Sequence, residues 1–228
     1  MIILNIYGES NSGKTEKVVG TIKRLTDADL RVASVKHTTG EFTIDTPGKD
    51  SYRHQEAGAS PSILATALET DFVVKDVLDL KMILGIMQCI KDVDVIVIEG
   101  FKRLEYSSDK PQIMKRMKPE DVDMENVLDE VRHLMEIDAA LQDLPGLDCG
   151  KCGAECVELA RQIVEEGRDP KDCPVEGDNR ISILVNGESL YLNKFASRIT
   201  RKTILGMLTS FKYVDEIRDI KIEIKADK

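Results

Sequence analysis

The residues Gly8-Glu9-Ser10-Asn11-Ser12-Gly13-Lys14-Thr15 have the form G-x-x-x-x-G-K-[ST], the pattern of a loop that wraps a phosphate chain. Gly8 and Gly13 permit backbone angles that turn several N–H groups, those of Asn11, Ser12 and Gly13 among them, toward an anion. Lys14 has the reach to neutralise β- and γ-phosphates, and the Thr15 hydroxyl is a hard oxygen ligand for Mg²⁺. A glycine turn with a chance Lys-Thr is the alternative. The context argues against it: the apolar run Ile2–Tyr7 precedes the octet and a helical run from Lys14 to Leu25 follows, as the motif requires.

A second signal is Val95-Ile96-Val97-Ile98-Glu99-Gly100, an apolar strand that ends in a carboxylate. Ligands of open α/β sheets bind at the C-terminal edge of the strands. There a strand-end carboxylate holds Mg²⁺ or its water, so Thr15 and Glu99 are expected to share the metal, with Lys14 and Glu99 as the catalytic pair. Asp92 and Asp94 precede the strand and belong at its far end. Val35-Lys36-His37 ends another strand at the ligand edge; His37 is a candidate for a phosphate, a metal-bound water or a substrate, and an ordinary strand-end histidine fits the sequence equally well. In Asp45-Thr46-Pro47-Gly48-Lys49-Asp50-Ser51-Tyr52-Arg53, Pro-Gly makes a turn and Asp50 or Ser51 caps a helix. Asp45, Lys49 and Arg53 exceed what a turn needs and suit a loop that senses a γ-phosphate and its metal.

The third signal is cysteine. Of five cysteines, four cluster as Cys149-x-x-Cys152-x-x-x-Cys156 followed by Cys173-Pro174, while Cys89 stands alone in an apolar helical stretch as a small core residue. Four thiolates suit a [4Fe–4S] cluster or a structural zinc. Three close ligands with a distant Cys-Pro favour the cluster; zinc and free or disulfide-bonded thiols are the alternatives.

These residues need a scaffold. Strand runs at Ile2–Tyr7, Arg31–Lys36, Ser62–Thr66 and Val93–Ile98 alternate with helical runs at Lys14–Leu25, Ser51–Ala57 and Leu80–Ile90. The alternation predicts an α/β phosphate-loop domain over residues 1–119 with a mainly parallel sheet. The basic stretch Lys110–Lys118 reads as a solvated loop or part of the nucleotide rim. Val127, Val131, Leu134, Ile137, Ala140, Leu141 and Leu144 share one helical face, stopped by Pro145-Gly146. This helix and the cysteine segment, with a short helix after Cys156, form a second region over 124–178. The tail, 179–228, reads as ββαβ: strands at 181–185 and 189–192 about Asn186-Gly187, a helix at 194–211 and a strand at 217–224. A unit this small is expected to pack on another part of the chain or on another subunit.

The 228 residues suffice for one full domain with additions, and 42% hydrophobic residues supply a core. A net charge of −9 argues against a general nucleic-acid partner but not against a nucleotide held in a locally positive loop. The sequence offers no membrane-length apolar stretch and no signal peptide, so a cytoplasmic location is expected.

Residues 1 to about 105 resemble the MobB family of molybdopterin-guanine dinucleotide biosynthesis. The likeness is carried by the phosphate loop, Val35-Lys36-His37, Asp45–Arg53 with Ala57-Gly58-Ala59, and Val97–Lys102. It implies a dimeric GTP-binding protein with weak Mg²⁺-dependent GTPase activity that assists attachment of GMP to molybdopterin. The implied partners are the molybdopterin guanylyltransferase or a molybdenum or tungsten enzyme. The family's nucleotide residues fall on Gly13, Lys14, Thr15 and Glu99, and His37, Asp45 and Lys49 match motif positions. The choice of GTP rests on this resemblance, since the chain has no Asn-Lys-x-Asp guanine reader. Residues 144–174 resemble the small [4Fe–4S] domain of corrinoid and Rnf-type proteins, although Cys152 and Cys156 stand one residue closer than is usual there. The competing reading is a nucleotide-gated iron–sulfur electron carrier or metallocofactor-insertion NTPase. A small-molecule kinase is a third, for which no acceptor base is visible.

Overall fold

The computed structural model describes residues 1–90, 92–103, 112–175, 181, 183–185, 188–190, 194–211 and 220, with side chains at all of these except 88–90, 184–185, 188–190 and 194–195. The chain divides into two compact units, the first running to Met135 and the second from Glu136.

The first unit is a mixed α/β layer structure. Strand β1 (Ile2–Ile6) leads through the phosphate loop into α1 (Lys14–Thr26), then β2 (Val32–Lys36). Next come α2 (Asp50–Glu56), the short strands β3 (Ser62–Ala65) and β4 (Thr70–Val73), and α3 (Leu80–Ile90). Strands β5 (Val95–Glu99) and β6 (Met114–Met117) complete the sheet. The main sheet has the order β2-β5-β1-β6 and every pair in it is parallel. Its two central strands, β1 and β5, are buried at every position. This is what strands made mostly of Ile, Val and Leu achieve when helices cover both faces of a sheet, with Asn5 and Glu99 the buried polar exceptions. Ile3, Ile96 and Ile98 pack with Leu80 and Leu84 of α3. Helix α1 lies across β1, β2 and β5, burying Val18, Thr21 and Leu25 at helical spacing.

Two expectations are corrected. The basic stretch is not simply loop, because Met114–Met117 forms an edge strand against β1. Ile113 and Met117 turn inward while Lys115 pairs with Glu130 on α4 (Val127–Gln142). The open edge of β1 supplies hydrogen-bond partners that the local Met-Lys-Arg-Met sequence does not advertise. The run at 62–66 does not join the parallel sheet. It forms an antiparallel two-stranded sheet with β4, closed by a turn in which Thr66 N–H bonds to the Glu69 carbonyl. Local closure of a hairpin is easier than the crossover a parallel partner demands. Beyond Pro119 the chain continues along α1 within the same unit. Lys17 and Arg24 donate to the carbonyls of Val122 and Glu125, each at 2.9 Å.

The expected apolar face of α4 is buried at Val127, Val131, Leu134, Ile137 and Leu141, with Leu144 buried just beyond. In the second unit, α5 (Cys156–Glu166) buries Leu159 and Ala160. Strands β7 (Ile183–Val185) and β8 (Glu188–Leu190) pair antiparallel with Val185 opposite Glu188, and α6 (Lys194–Thr209) follows. The Asn186-Gly187 turn, the strand expected at 217–224 apart from residue 220, and the side chain of Cys89 lie outside the described residues. Among the described residues no helix is long and apolar enough to cross a membrane.

Candidate functional site: a phosphate loop and a cysteine loop

The chain leaves the buried end of β1 and enters a cavity of about 200 Å³ lined by Ser10, Asn11, Ser12, Gly13, Lys14, Thr15, Lys36 and Glu99. Asn11 and Gly13 adopt left-handed conformations, φ 59° and 75°. Gly13 is the N-cap of α1, and no side chain caps the helix. The first-turn amides of α1 are thus left without a side-chain partner at the loop, the usual setting for an anion at a helix N-terminus. The Lys14 ammonium donates to the Glu9 carbonyl, and the Glu9 carboxylate pairs with Lys102. The hydrogen bond from Lys102 and its charge hold the Glu9 carboxyl below the usual carboxylate range.

Glu99, at the end of β5, is buried, and one of its oxygens collects two donors. Thr15 Oγ1 and Lys36 Nζ both lie 3.0 Å from Glu99 Oε1. Thr15 and Glu99 are 84 positions apart in sequence yet meet directly. An oxygen that already gathers a hydroxyl and an ammonium is a cation-favouring point, and a hydroxyl with a carboxylate is a fitting donor set for Mg²⁺.

Lys36 is the residue that sequence reasoning passed over in favour of His37. The parallel register sets Lys36 against Glu99, which puts it beside the cavity. The available signal was its place as the last residue of an edge strand next to a strand ending in glutamate. His37 instead stacks on Phe101, with ring centroids 4.1 Å apart. Asp45 is engaged locally: it accepts from Thr46 N (2.8 Å), Ser51 Oγ (3.2 Å) and Gln55 Nε2 (2.6 Å), tying its loop to α2. Lys49 is the exposed N-cap residue of α2, and Arg53 pairs with Asp50. Gly8, His37, Asp45 and Lys49 are not among the residues lining the cavity.

The turn after Glu99 is held by two further residues absent from the sequence reading. Buried Asn5 donates to the Gly100 carbonyl at 2.8 Å and accepts from Arg116 Nε at 3.0 Å. Arg116 Nη2 donates to the carbonyls of Phe101 and Lys102, and its guanidinium lies 4.6 Å from the Tyr7 ring centre. Gly100 has φ 103°, and a β-carbon there would stand 2.7 Å from the His37 carbonyl oxygen, so only glycine fits this crossing. Asp94 lies at the opposite end of β5, as expected, in a two-pronged pair with Arg31 at 2.6 and 3.0 Å. The Arg31 hydrogen bond holds the Asp94 carboxyl below its ordinary range.

In the second unit none of the four cysteines is joined in a disulfide, and they are graded from exposed Cys149 through half-buried Cys152 and Cys173 to buried Cys156. Cys156 opens α5, and its sulfur accepts the Asp148 N–H at 3.4 Å while its own N–H donates to Asp148 Oδ1 at 2.7 Å. Burial pushes the Cys156 thiol up, opposed by backbone donors at Asp148 and Leu147. Gly150 and Gly153, at φ 66° and 85°, have nothing within 4 Å of where a β-carbon would stand, leaving the loop open on that side. Among the described residues no three His, Cys, Asp or Glu side chains converge tightly enough for a single ion. A cubane puts each of four thiolates on its own iron, so its ligands need not converge on one point. Thiolates, backbone donors aimed at sulfur and open glycines fit such a cluster.

The chain matches the family model of MobB, "Molybdopterin guanine dinucleotide synthesis protein B", over residues 3–136. A second model, "Putative Fe-S cluster", matches residues 144–175. The chain is 29% identical over 241 residues, 100% of this chain and 99% of the other, to a "Putative molybdopterin-guanine dinucleotide biosynthesis adapter protein" of Methanocaldococcus jannaschii. It is 37% identical over 100 residues to the adapter protein of Escherichia coli, spanning 42% of this chain and 57% of that one. The crystal structure of Bacillus subtilis MobB aligns at 29% identity and TM-score 0.40, covering 49% of this chain and 66% of that one.

Proposed function

The chain belongs to the family of molybdopterin guanine dinucleotide synthesis protein B, and from that premise we propose that it is a nucleotide-binding adapter in molybdenum or tungsten pterin cofactor biosynthesis, one that also carries a [4Fe–4S] cluster. The observation that carries the nucleotide half is the convergence of Thr15 and Lys36 on buried Glu99 at the mouth of a phosphate loop. Gly8, Asn11, Ser12, Gly13, Lys14 and Thr15 hold the phosphates of GTP, and Thr15 and Glu99 hold its Mg²⁺. Lys14 and Glu99 serve a slow hydrolysis. His37 acts by bracing Phe101, Asp45 by fixing the 45–55 loop, and Lys49 by reaching the phosphates from that loop. The base choice, guanine, follows the family.

Cys149, Cys152, Cys156 and Cys173 ligate the cluster. The nucleotide-binding region is 1–119, the helix and cluster region 124–178, and the tail 179–228. The protein works in the cytoplasm as a homodimer, alongside the guanylyltransferase of the pathway or a molybdenum or tungsten enzyme. The exposed apolar side chains of the β3–β4 hairpin, Ile63, Leu64, Leu68 and Phe72, support pairing with a second copy. A two-stranded sheet is marginal by itself in water.

A second reading, a nucleotide-gated electron carrier, is favoured by the exposure of Cys149 and the partial exposure of Cys152 and Cys173, which would place a cluster within reach of an electron-transfer partner. Anaerobic purification with metal, sulfide and nucleotide analysis tests the proposal. The expected result is about four irons per chain and preferential binding of GTP over ATP that Lys14→Ala abolishes. Stoichiometric zinc without iron defeats the cluster assignment, and equal affinity of wild type and Lys14→Ala removes the loop from the mechanism. A cluster potential that shifts with bound nucleotide would decide for the electron carrier.

A further inference from the structure

The cluster ligands come in two groups, three before α5 or at its start and one after it, and something must set the distance between them. Asp148 fixes one group: its two hydrogen bonds with Cys156 tie the loop that carries Cys149 to the first turn of α5. Among the described residues, Cys173 has no such link to that loop through the backbone. Gly167, at φ 72°, ends α5 and turns the chain back, and Arg168 follows. Its guanidinium donates to three different segments. Nη1 bonds Gln162 Oε1 on α5 at 2.6 Å, Nη2 bonds the Cys152 carbonyl at 2.9 Å, and Nε bonds Asp172 Oδ2 at 3.1 Å. Asp172 closes the 3-10 turn Pro170–Asp172 that delivers Cys173.

We infer that Arg168 is the positioning residue for the cluster: it sets Cys173 against the Cys149–Cys156 loop, and without it the fourth ligand, which among the described residues has no backbone tie to that loop, is the one loosened most. The inference rests on the cluster reading above. A planar fork with donors on three nitrogens spans helix, loop and turn together; a lysine ammonium is a single point and cannot replace it. Its side chain is 27% exposed, so these bonds are only partly open to competition from water.

The consequence is chemical. With Cys173 loosened, one iron becomes labile while three remain held. A mild one-electron oxidant then drives [4Fe–4S]²⁺ → [3Fe–4S]⁺ + Fe²⁺ + e⁻, the electron going to ferricyanide. The test uses anaerobically prepared full-length protein as wild type, Arg168→Ala, Arg168→Lys, Asp172→Asn and Cys173→Ser. Released Fe²⁺ is followed with a chelator and the three-iron product by electron paramagnetic resonance. Arg168→Ala should release the first iron about 10–100-fold faster and stop at the three-iron form, as Cys173→Ser does. The double variant should add nothing to Cys173→Ser. Arg168→Lys should fail to rescue, and Asp172→Asn, which takes the charge out of only one of the three bonds, should move in the same direction by less. A merely structural role predicts loss of all four irons together, and that result, or a wild-type release rate in both Arg168→Ala and Asp172→Asn, overturns the inference. If the wild type holds zinc instead, the cluster reading fails, and the clamp is judged by zinc transfer to the chelator: faster from Arg168→Ala sustains it, equal rates refute it. A wild type without bound metal refutes both.

Discussion

Replacing Glu99 by glutamine separates a metal role from a packing role. The carbonyl of the new amide still accepts the Thr15 hydroxyl, so that hydrogen bond survives. The ion pair with Lys36 is lost, but Lys36 is 62% exposed, which limits the cost to about 0–1 kcal/mol. The apoprotein should therefore unfold within about 1 kcal/mol of wild type. Metal binding is different, because the carboxylate is the charged oxygen donor of the Thr15–Glu99 pair. Its removal should weaken Mg²⁺-dependent nucleotide binding about 10–100-fold, or about 1.4–2.8 kcal/mol. With Mg²⁺ chelated the sign reverses or the effect vanishes, since the substitution removes a negative charge beside the phosphate cavity. Calorimetric titration of GTP into both proteins, with Mg²⁺ and with chelator, gives the four affinities needed. An equal loss in both conditions, or an apoprotein destabilised by several kcal/mol, would refute the metal assignment.

Other expectations follow from geometry. Gly100→Ala, forced to φ 103° with its β-carbon against the His37 carbonyl, should cost about 1–3 kcal/mol in urea unfolding; an unchanged midpoint would show that the crossing relaxes freely. Asp94→Asn should lose about 0.5–1 kcal/mol at neutral pH. Because the folded carboxyl is held below its ordinary range by Arg31, that stability is present above the unfolded value of about 3.9 and disappears as pH falls through the folded one. The gap between mutant and wild type should close on acidification, and a gap constant from pH 7 to about pH 3 would exclude the pair as its source. Phe72→Asp, on the exposed face of the hairpin, should convert a sedimenting dimer into a folded monomer, whereas a wild type that is already monomeric would remove the hairpin as a dimer contact.

Local patterns in the sequence specified much of this protein. The phosphate octet between β1 and α1 was legible because its chemistry depends on consecutive residues and on Gly13 taking a left-handed angle that few others tolerate. The largely apolar runs of β1 and β5 announced buried strands, and the 3–4 spacing of Val127, Val131, Leu134, Ile137 and Leu141 announced the buried stripe of α4. Tertiary structure alone decided what joins distant segments. Strand order put Lys36 rather than His37 against Glu99, 63 positions away. It also opened an edge of β1 for the Met-Lys-Arg-Met strand, and so brought Arg116 to Asn5 across 111 positions. The run at 62–66 has an apolar pattern compatible with either sheet, and hairpin closure chose its partner. Arg168 looked like any solvent-facing arginine until the reversal at Gly167 aimed it at Cys152 and Asp172. Periodicity reports which way a side chain faces within its own element; which element it then meets is set by strand pairing and chain reversal, and no local pattern carries that information.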